Sequence, residues 1–473
     1  MRQMQSEQFE AEALIQVPHV VKGRALFGTD VRYRSRDLGA DFATPRLDLD
    51  DLVWSRTDPL PCLNMPVTEI IDFMEQLGAR LDLDRNVYLQ EALEGMVKVS
   101  ELGRRILVNC YRDMPNMFRR DVLMTEVVES LGGTEVIDGW KSRNLHGHSN
   151  RIRAFPPRLV HVLAGNSPLV AAMTIARSAV SKGVHLLKLP SNDLFTATAI
   201  LRTMADIDPE HPVTRSFSAV YWKGGDERIE SVLCRAQYFD KMVVWGGEAA
   251  VRHALKYIGP GFELVSNDPK VSMSMIGHEA FESEESLREV ARRGAADVLS
   301  FNQDACNASR YQFVEGTIEE VDRYCVLLAE ALQVDVRFGN GQYKPTPQSI
   351  RDEADVLRML EPVYAVFGSY DGKGLVIRSE DPVGFHPDVK TVNVIRVDDL
   401  AKAVRYATVA TKTLGIWPSH RRLALRDALA GMGVQQIVTL GEATSAGGFG
   451  GMPHDAYIPL HRVMRWISDQ GEE

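Results

Sequence analysis

Short apolar segments alternate regularly with amphipathic helical segments from Arg158 onwards. Segments such as RLVHVLAG, VHLLKLP, FSAVYW and KMVVWG are apolar almost throughout, and helical patterns separate them. Strands that are apolar on both faces and are followed by helices indicate a parallel sheet with helices on both sides. The pattern therefore predicts a doubly wound α/β domain, in which ligands bind at the carboxyl ends of the strands.

The length of the chain and a second alternation indicate the domain organisation. A chain of 473 residues is longer than one hydrophobic core usually serves. The second alternation begins near Lys270 with KVSMSMIG and continues through RYQFVEG and KTVNVIRV. We predict a nucleotide-binding α/β domain over 151–269 and a second α/β domain over 270–445. Residues 1–150 are predicted to be a mainly helical segment that packs on the first domain, and 446–473 a glycine-rich turn and a helix.

Composition limits the partners and the compartment. The formal charge of −10 and the pI near 5.7 leave no basic surplus for a phosphate backbone, so nucleic acid is not an expected partner. The start MRQMQSEQFEAEAL lacks the pattern of a signal peptide, and polar residues interrupt the longest apolar stretch, 159–180. Five cysteines without a CxxC pair indicate a reducing compartment. We expect a soluble, cytoplasmic protein without a membrane span.

One of the five cysteines stands in a segment suited to chemistry. Cys306 lies in FNQDACNASRYQFVEG, between a predicted helix and a predicted strand, among small and polar residues. A nucleophile needs space for a tetrahedral intermediate and backbone N–H groups for its oxyanion, and this segment leaves that space. A buried packing cysteine is the alternative, and loop position alone weighs the two interpretations about equally.

The stretch QDACNASR resembles the signature of the aldehyde dehydrogenase superfamily, in which a glutamine, the catalytic cysteine, a small residue, a serine and an arginine precede a strand. Gln303, Cys306, Ser309 and Arg310 take those positions here. The resemblance spans roughly residues 155–470. It implies an aldehyde dehydrogenase-like fold with two doubly wound α/β domains, an acyl thioester on Cys306 and a nicotinamide cofactor.

A second segment, HVLAGNSPLVAA, resembles the strand, turn and helix that carry the superfamily's oxyanion asparagine. The resemblance assigns that role to the side-chain amide of Asn166, since a fixed N–H donor beside developing negative charge lowers the barrier. Taken alone, an asparagine before Ser167 and Pro168 is more often a turn or N-cap residue.

Two further segments resemble the superfamily's cofactor site. HLLKLPSND resembles the strand end that meets the adenosine ribose, which places Lys188 on the ribose hydroxyls or on a 2′-phosphate; a lysine lying along a strand end is the alternative. Ser191 stands where NAD-preferring relatives often carry a glutamate, which favours NADPH and leaves NADH as the second choice. KMVVWGGEAAVRHAL resembles the pyrophosphate turn, where Gly246 and Gly247 let the backbone approach.

The superfamily's water-activating glutamate marks a departure. If Lys270 is aligned with the family's lysine, Ser266 takes the place of the glutamate, and Glu263 fits only after a shift of about three residues. Without that base an acyl-Cys306 resists hydrolysis and persists for thiol exchange or hydride transfer. The departure resembles the acyl-CoA reductase branch, specifically the long-chain acyl-CoA reductases of bacterial bioluminescence, and the ending GGFGGMPHDAYIPLHRVMRWISD resembles the ends of those proteins.

Three histidines were natural candidates for site residues. His454, in the PHD triplet, could form a wall of the active site, but expelling a thiolate hardly needs a proton donor, because thiol pKa values lie near 8.5. His146 and His148 have a spacing that suits a metal, yet no carboxylate or cysteine cluster accompanies them. We predict a loop there and no metal.

The sequence therefore predicts NADPH-dependent reduction of an acyl thioester, from acyl-CoA or an acyl-carrier protein, to an aldehyde through acyl-Cys306. One alternative is an aldehyde dehydrogenase in which Glu263 activates water. The others are an acyltransferase that uses acyl-Cys306 without hydride transfer, and a catalytically silent interaction protein. The resemblance also implies a homo-oligomer, with a homodimer as the expected form. The acyl chain and the thiol donor are left open.

Overall fold

The computed structural model describes residues 14–145, 148–268, 270–444 and 449–470. Two seven-stranded sheets dominate the structure, and two three-stranded sheets complete it. Apolar clusters lie on both faces of each large sheet. Within those described ranges, no helix is both long enough and apolar enough to cross a bilayer. The predicted fold class, two doubly wound α/β domains, is confirmed.

The N-terminal part contains strands as well as helices, whereas the sequence predicted a mainly helical segment. Five short strands come first: β1 (Ile15–Gln16), β2 (His19–Val21), β3 (Arg24–Leu26), β4 (Val31–Arg34) and β5 (Asp41–Thr44). Six helices follow: α1 (Leu49–Leu52), α2 (Val67–Arg80), α3 (Val87–Val99), α4 (Arg104–Asp113), α5 (Arg120–Leu131) and α6 (Glu135–Asp138). Strands of two to four residues are too short to show an alternating pattern, so the sequence did not reveal them.

The next strands are β6 (Lys141–Leu145) and β7 (His148–Phe155), which pair antiparallel. The first α/β domain then consists of β8 (Arg158–Val162), α7 (Pro168–Val180), β9 (Val184–Lys188), α8 (Thr196–Ile207), α9 (Pro212–Arg215), β10 (Phe217–Val220), α10 (Glu227–Leu233), β11 (Lys241–Trp245), α11 (Glu248–Ala254) and β12 (Glu263–Asn267). Its sheet has the order β12-β11-β8-β9-β10-β2-β3. Of the two strands from the N-terminal part, β2 pairs antiparallel with β10, and β3 pairs antiparallel with β2.

Side chains alternate between the two faces of this sheet, as the strand period of two requires. Leu159 and Leu187 join the core that also contains Met74 of α2, so α2 packs on this domain. Val160 and Leu186 point to the opposite face and pack in a second cluster. The sheet is therefore buried on both sides, which explains why its strands are apolar throughout.

The second α/β domain consists of β13 (Val271–Ile276), α12 (Glu284–Val298), β14 (Ser309–Glu315), α13 (Ile318–Ala331), α14 (Gln348–Arg358), β15 (Ala365–Ser369), β16 (Gly374–Ser379), β17 (Thr391–Val397), α15 (Leu400–Ala403), β18 (Thr411–Trp417), α16 (Ser419–Met432) and β19 (Gln436–Thr439). Its sheet has the order β15-β16-β17-β14-β13-β18-β19, and only the edge strand β15 is antiparallel.

The chain ends in a short helix and a strand, α17 (Pro459–Val463) and β20 (Arg465–Gln470). The sequence predicted a helix that includes the RW pair, and this is wrong for Arg465 and Trp466. Trp466 instead pairs with Ala154 of β7, which completes a three-stranded sheet in the order β20-β7-β6. A partner strand some 300 residues earlier in the chain decides this structure, and a local pattern does not show it.

Candidate active site

Cys306 lies on the loop between a 3-10 turn (Ser300–Gln303) and the start of β14. It is exposed, whereas the other four cysteines are buried, as the sequence predicted. The turn before it is unusual, because Phe301, Asn302 and Gln303 have φ values of 49°, 55° and 73°. Left-handed backbone at residues other than glycine costs of the order of 1–3 kcal/mol per residue. Contacts with the surrounding structure have to hold this turn.

Two side chains of the QDACNASR stretch supply such contacts. Gln303 Nε2 donates hydrogen bonds to the carbonyl oxygens of Ser309 (3.2 Å) and Thr391 (2.9 Å). Arg310 Nη2 donates to the carbonyl oxygen of Gln303 over 2.7 Å, and Arg310 Nη1 donates to Asp388 Oδ1 over 2.9 Å. The glutamine and the arginine of the motif therefore stabilise the turn that presents the cysteine.

The main chain of Cys306 is tied to the strands behind it. Ser272 Oγ, near the start of β13, donates to the carbonyl oxygen of Cys306 over 2.7 Å. The backbone N–H of Thr413, near the start of β18, donates to the same Oγ over 3.0 Å. Cys306 therefore lies at the amino ends of β13, β14 and β18.

Asn166 meets the cysteine loop from the other domain. It follows β8 at the carboxyl edge of the first sheet, and Ser167 after it caps α7. Asn166 Nδ2 donates to the carbonyl oxygen of Asp304 over 3.2 Å. A Cβ at Gly165 would lie 2.1 Å from Asn192 Oδ1, so this close path requires glycine. The structure thus brings Asn166 and the cysteine loop together, with the carboxyl edge of one sheet facing the amino edge of the other.

Lys188, the last residue of β9, borders a cavity of about 310 Å³. The walls are largely apolar and include Trp222 and Tyr257, while Glu230 contributes a carboxylate. Burial lowers the pKa of Lys188 to about 8, although the charge of Glu230 acts in the opposite direction. Ser191 does not line this cavity. The cavity has the size of a small-molecule site and lies at strand carboxyl ends.

Gly246 and Gly247 form the turn between β11 and α11. A Cβ at Gly246 would approach the Cβ of Ala250 to 3.1 Å, whereas a Cβ at Gly247 would meet nothing within 4 Å. Ala250 also lines the cavity beside Lys188. The turn therefore leaves open space next to the backbone, where the sequence placed the cofactor pyrophosphate.

Glu263 and Ser266 lie at different ends of β12. Glu263 is its first residue, and its Oε2 lies 3.2 Å from Lys241 Nζ at the amino edge of the sheet. Ser266 lies beside Asn267 at the carboxyl end. At about 3.3 Å per residue, the two positions are roughly 10 Å apart. Asn166 and the cysteine loop meet at the carboxyl edge of this sheet, and we call the space between the two sheets there the cleft. Because Glu263 lies at the opposite, amino edge, it is not placed to activate water at Cys306.

The C-terminal segment packs on the same carboxyl edge. The His454 ring meets Trp245 edge to face, with ring centroids 5.2 Å apart. The Tyr457 hydroxyl donates to the carbonyl oxygen of Ser266 over 3.2 Å and to Asn267 Oδ1 over 3.1 Å. His454 therefore lies at the ends of β11 and β12, where a wall of the cleft was predicted.

A cluster with metal-like spacing occurs elsewhere among the described residues: His278, Glu279 and Glu315, whose ligand atoms lie within 4.8 Å of one another. It lies at the far end of β14 from the cysteine loop. Arg421 donates to both carboxylates, over 2.9 and 3.1 Å, and so supplies a cation to them. His148 is the first residue of β7, so the loop that the sequence predicted is wrong for this residue. His146 and the side chain of His148 lie outside the described residues, so the prediction that they bind no metal stays a prediction.

Comparison with known families assigns the chain. A sequence model of the family described as acyl-CoA reductase (LuxC) matches residues 62–466, well over half of the chain. The chain belongs to this LuxC family. The match begins before α2, so it includes helices α2 to α6, whereas the resemblance seen in the sequence reached back only to about residue 155.

Curated relatives agree with the LuxC assignment. A long-chain acyl-protein thioester reductase of Vibrio harveyi is 29% identical over 360 residues, which cover 74% of this chain and 70% of that protein. A protein of the same name from Aliivibrio fischeri is 26% identical over 423 residues, with 86% and 83% covered. An NADP-dependent glyceraldehyde-3-phosphate dehydrogenase from Bacillus halodurans C-125, solved with NADP, superimposes with a TM-score of 0.71 at 12% identity, covering 96% and 99% of the two chains. The LuxC chain therefore has the aldehyde dehydrogenase fold.

Sequence reasoning missed Lys412 at this LuxC site, and it named Asp455 only as part of a possible active-site wall beside His454. Lys412 Nζ, on β18, and Asp455 Oδ1, in the C-terminal segment, lie 2.8 Å apart. The PHD triplet drew attention to His454, but nothing in it identified a partner for Asp455. The available signal was the lysine itself, because a charged residue inside the apolar strand segment TKTLGIW requires a partner when buried.

Electrostatics at the site follow from this arrangement. The walls of the cleft desolvate the Cys306 thiol and raise its pKa; the charge of Lys412 lowers that pKa and the charge of Asp455 raises it. Burial lowers the pKa of His454, so its ring is neutral at neutral pH. Burial opposes ionisation of Asp455, yet His454 and Lys412 together leave the pKa of Asp455 below its usual value.

Proposed function

We propose that this chain reduces an acyl thioester to an aldehyde through an acyl-Cys306 intermediate, with NADPH as the hydride donor. Its membership of a family of acyl reductases supports the overall reaction. The observation that carries the mechanism is the exposed position of Cys306 on a loop that Asn166 contacts from the first α/β domain. The alignment with the superfamily adds that Ser266, and not a glutamate, takes the position of the water-activating base.

The first half of the reaction transfers the acyl group to the chain. The Cys306 thiolate attacks the carbonyl carbon of the thioester, a new carbon–sulfur bond forms, and the tetrahedral intermediate expels the donor thiolate. Asn166 and the backbone N–H of Cys306 are proposed to hold the oxyanion. An amide carries two N–H donors, so the bond from Asn166 to Asp304 orients the group without using both.

The residues around Lys188 fit a nicotinamide dinucleotide. The largely apolar cavity of about 310 Å³ suits a flat heterocycle, and the Lys188 cation at its edge suits ribose hydroxyls or a 2′-phosphate. When bound, the reduced cofactor supplies the hydride that converts the acyl-enzyme to the aldehyde level.

Ser191 carries the proposed preference for NADPH, because it stands where NAD-preferring relatives often have a glutamate that would repel a 2′-phosphate. The carboxylate of the cavity, Glu230, accepts hydrogen bonds from Trp222 Nε1 (3.1 Å), the Gly225 N–H (3.2 Å) and the Tyr257 hydroxyl (3.2 Å), and it lies 2.5 Å from His253 Nε2.

The position of Glu263 supports an acyl-enzyme that resists hydrolysis by water. Glu263 faces Lys241 at the other edge of the sheet, and Ser266 cannot act as a strong base. Acyl-Cys306 therefore persists until hydride or a thiol reaches it. This argues against the alternative in which Glu263 activates water and the chain oxidises aldehydes to carboxylates.

The proposed donor is acyl-CoA or an acylated protein. The curated relatives from Vibrio harveyi and Aliivibrio fischeri are named for long-chain acyl-protein thioesters, and the family is described as acyl-CoA reductase. Both donors present the same thioester to Cys306. A cytoplasmic location is proposed as well, which accords with five free cysteines.

The deciding experiment detects the acyl-enzyme by intact mass after mixing the chain with a panel of acyl-CoA thioesters. We expect an acyl adduct on the parent chain and on the control Cys62→Ala, in which a buried cysteine is changed, and none on Cys306→Ala. NADPH binding, followed by fluorescence, should be unchanged in Cys306→Ala. An adduct on Cys306→Ala would refute the proposal.

The same preparations separate the alternatives. Oxidation of NADPH with aldehyde release, faster than with NADH, is the expected result. Carboxylate from aldehyde without CoA would indicate a surviving base and an aldehyde dehydrogenase. Thiol exchange that proceeds without any cofactor-dependent aldehyde would indicate an acyltransferase.

A further inference from the structure

A buried ion pair links two distant parts of the chain next to the nucleophile. Lys412 and Asp455 have side chains that are only 3% and 6% exposed, and their charged atoms lie 2.8 Å apart. Asp455 Oδ2 also lies 3.3 Å from His454 Nδ1. Taking two charges out of water costs several kcal/mol per ion, and their attraction often fails to repay this. Stability alone therefore gives a weak reason for this pair.

The backbone conformation at Asp455 gives a second reason to expect a role other than stability. Asp455 and Ala456 have φ values of 51° and 64°, a left-handed conformation that costs energy at both residues. The turn is closed by the His454 N–H, which donates to the carbonyl oxygen of Tyr457 over 2.8 Å. Tyr457 is in turn fixed to the carboxyl end of β12. The hydrogen bond between His454 and Tyr457 and the bond from Tyr457 to β12 stabilise this strained turn, which places the Asp455 carboxylate beside Lys412.

The pair is connected to Cys306 through the sheet. Lys412 immediately precedes Thr413, whose N–H donates to Ser272 Oγ, and Ser272 Oγ donates to the carbonyl oxygen of Cys306. The lysine is therefore held on the strand that anchors the cysteine loop. Its charge and that of Asp455 act on the Cys306 thiol in opposite directions.

Other groups near the thiol are accounted for. Arg310 is committed to Asp388 and to the carbonyl oxygen of Gln303. His454 is neutral, since burial lowers its pKa. Asp304, on the cysteine loop itself, has a pKa that burial raises to about 6. Lys412 is therefore a cation on the sheet that anchors the cysteine loop, and its charge lowers the pKa of the Cys306 thiol.

We propose that Lys412 is the cation that compensates the Cys306 thiolate, and that Asp455 holds Lys412 in place and limits its effect. This rests on the proposed role of Cys306 as nucleophile. The thiolate charge occurs twice in each turnover, before attack on the thioester and again when the carbon–sulfur bond of the reduced intermediate breaks to release aldehyde. Charge compensation serves both steps, and neither step consumes or releases a proton at Lys412.

The test measures the pH dependence of Cys306 alkylation by iodoacetamide in the full chain, without substrate or cofactor. An opposite charge nearby typically shifts a pKa by one unit or more, and one unit is a tenfold change in thiolate below the pKa. We expect Lys412→Met to raise the pKa of Cys306 by about one unit and to slow alkylation at pH 7 about tenfold. Asp455→Asn keeps an oxygen acceptor for Lys412 but removes the negative charge, so it should lower the pKa and speed alkylation.

Controls make the result specific. Lys373 and Asp371 form an exposed ion pair in the same domain, and Lys373→Met and Asp371→Asn should leave the alkylation profile unchanged. Lys412→Arg keeps the cation and should stay within about threefold of the parent rate. If Lys412→Met does not fold, Lys412→Arg and Asp455→Asn still decide the question.

Shifts of the same sign in Lys412→Met and Asp455→Asn, or no shift in Asp455→Asn, would overturn the proposal, because a purely structural disturbance has no reason to follow the sign of the charge. The alkylation assay needs no acyl-enzyme. If the expected shifts occur but the parent chain forms no acyl adduct, the proposed function fails and the charge compensation stands.

Discussion

Asn166 brings a neutral hydrogen-bond donor from the first α/β domain to the cysteine loop. The Asn166 amide donates a hydrogen bond to the carbonyl oxygen of Asp304, which precedes Cys306 by two residues, and this bond fixes the orientation of the amide. An oxyanion donor is effective when it is already oriented before charge develops, since no reorganisation is then needed. The structure provides this orientation through the close path at Gly165 and the cap formed by Ser167.

We predict that Asn166→Ala lowers kcat for acyl-thioester reduction by about 10²–10³, the usual effect of removing one oxyanion donor. The rate of Cys306 alkylation by iodoacetamide should change little, because the thiol keeps its surroundings. Asn109→Ala is the matched control: Asn109 Nδ2 also donates to a backbone carbonyl across the domains, that of Arg337, but not in the cysteine loop. Equal losses in both variants would contradict an oxyanion role.

At the scale of single elements, the left-handed turn before Cys306 matters most. The N–H of Phe301 donates to the carbonyl oxygen of Phe338 over 2.7 Å, and the two rings stack with centroids 5.2 Å apart. Asn302 Oδ1 accepts the N–H of Asn340 over 2.8 Å. With the two bonds from Gln303, each residue of the turn is held by tertiary contacts, which offset the unfavourable φ values.

Gln303→Ala should therefore destabilise the fold by about 1–3 kcal/mol, because it leaves the buried carbonyl oxygens of Ser309 and Thr391 without this donor. Urea unfolding measures the loss. Gln333→Ala removes a single bond from an exposed residue to the Ala329 carbonyl oxygen near the end of α13 and should cost much less. A Gln303 variant as stable as the control would show that the turn is held without the motif's glutamine.

At the scale of the whole molecule, the N-terminal part holds the C-terminal segment. Glu126 of α5 is fully buried, and its Oε1 lies 2.7 Å from Arg177 Nε of α7. Glu126 Oε2 accepts the N–H of Gly451 over 2.8 Å. Gly451 has a φ of 79°, and a Cβ there would lie 2.3 Å from the Cβ of Glu129, so the segment approaches α5 as only glycine can. Three regions of the chain meet at one carboxylate.

Removing one partner of a buried ion pair usually costs about 3–5 kcal/mol, so Glu126→Ala should strongly lower the free energy of unfolding. Glu91→Ala removes an exposed carboxylate that pairs with Arg202 between α3 and α8, and should cost less than about 1 kcal/mol. Because Gly451 lies shortly before His454, Glu126→Ala should also reduce reductase activity in the fraction that stays folded. Unfolding curves equal to those of the Glu91 variant would contradict this.

The assembly of the molecule stays a prediction. Among the described residues, the three-stranded sheet β20-β7-β6 has β6 at one edge, and an edge strand can pair with a strand of a second chain. We expect a homodimer, which sedimentation would detect as about twice the chain mass of 52.8 kDa. A single species at the chain mass would rule this out.

Local patterns of the sequence determined the fold class and the nucleophile. Strands buried on both faces have to be apolar throughout, and a helix follows each of them, so RLVHVLAG and KVSMSMIG identified the two sheets before any contact was known. The residue types around Cys306 indicated an open loop and carried the family resemblance, because the small and polar residues that leave space around a reactive thiol are its neighbours in the sequence.

Tertiary structure alone decided the features that depend on residues far apart in the chain. β2 and Arg465–Gln470 became strands because of distant partners, since edge pairing contributes backbone hydrogen bonds that a short segment cannot make by itself. Whether Glu263 could act as the water-activating base depended on which edge of the first α/β sheet faces the cysteine loop, because Glu263 and Ser266 lie at opposite ends of β12. Lys412 and Asp455 are 43 residues apart, and only the packing of the C-terminal segment on β18 places two opposite charges beside one thiol.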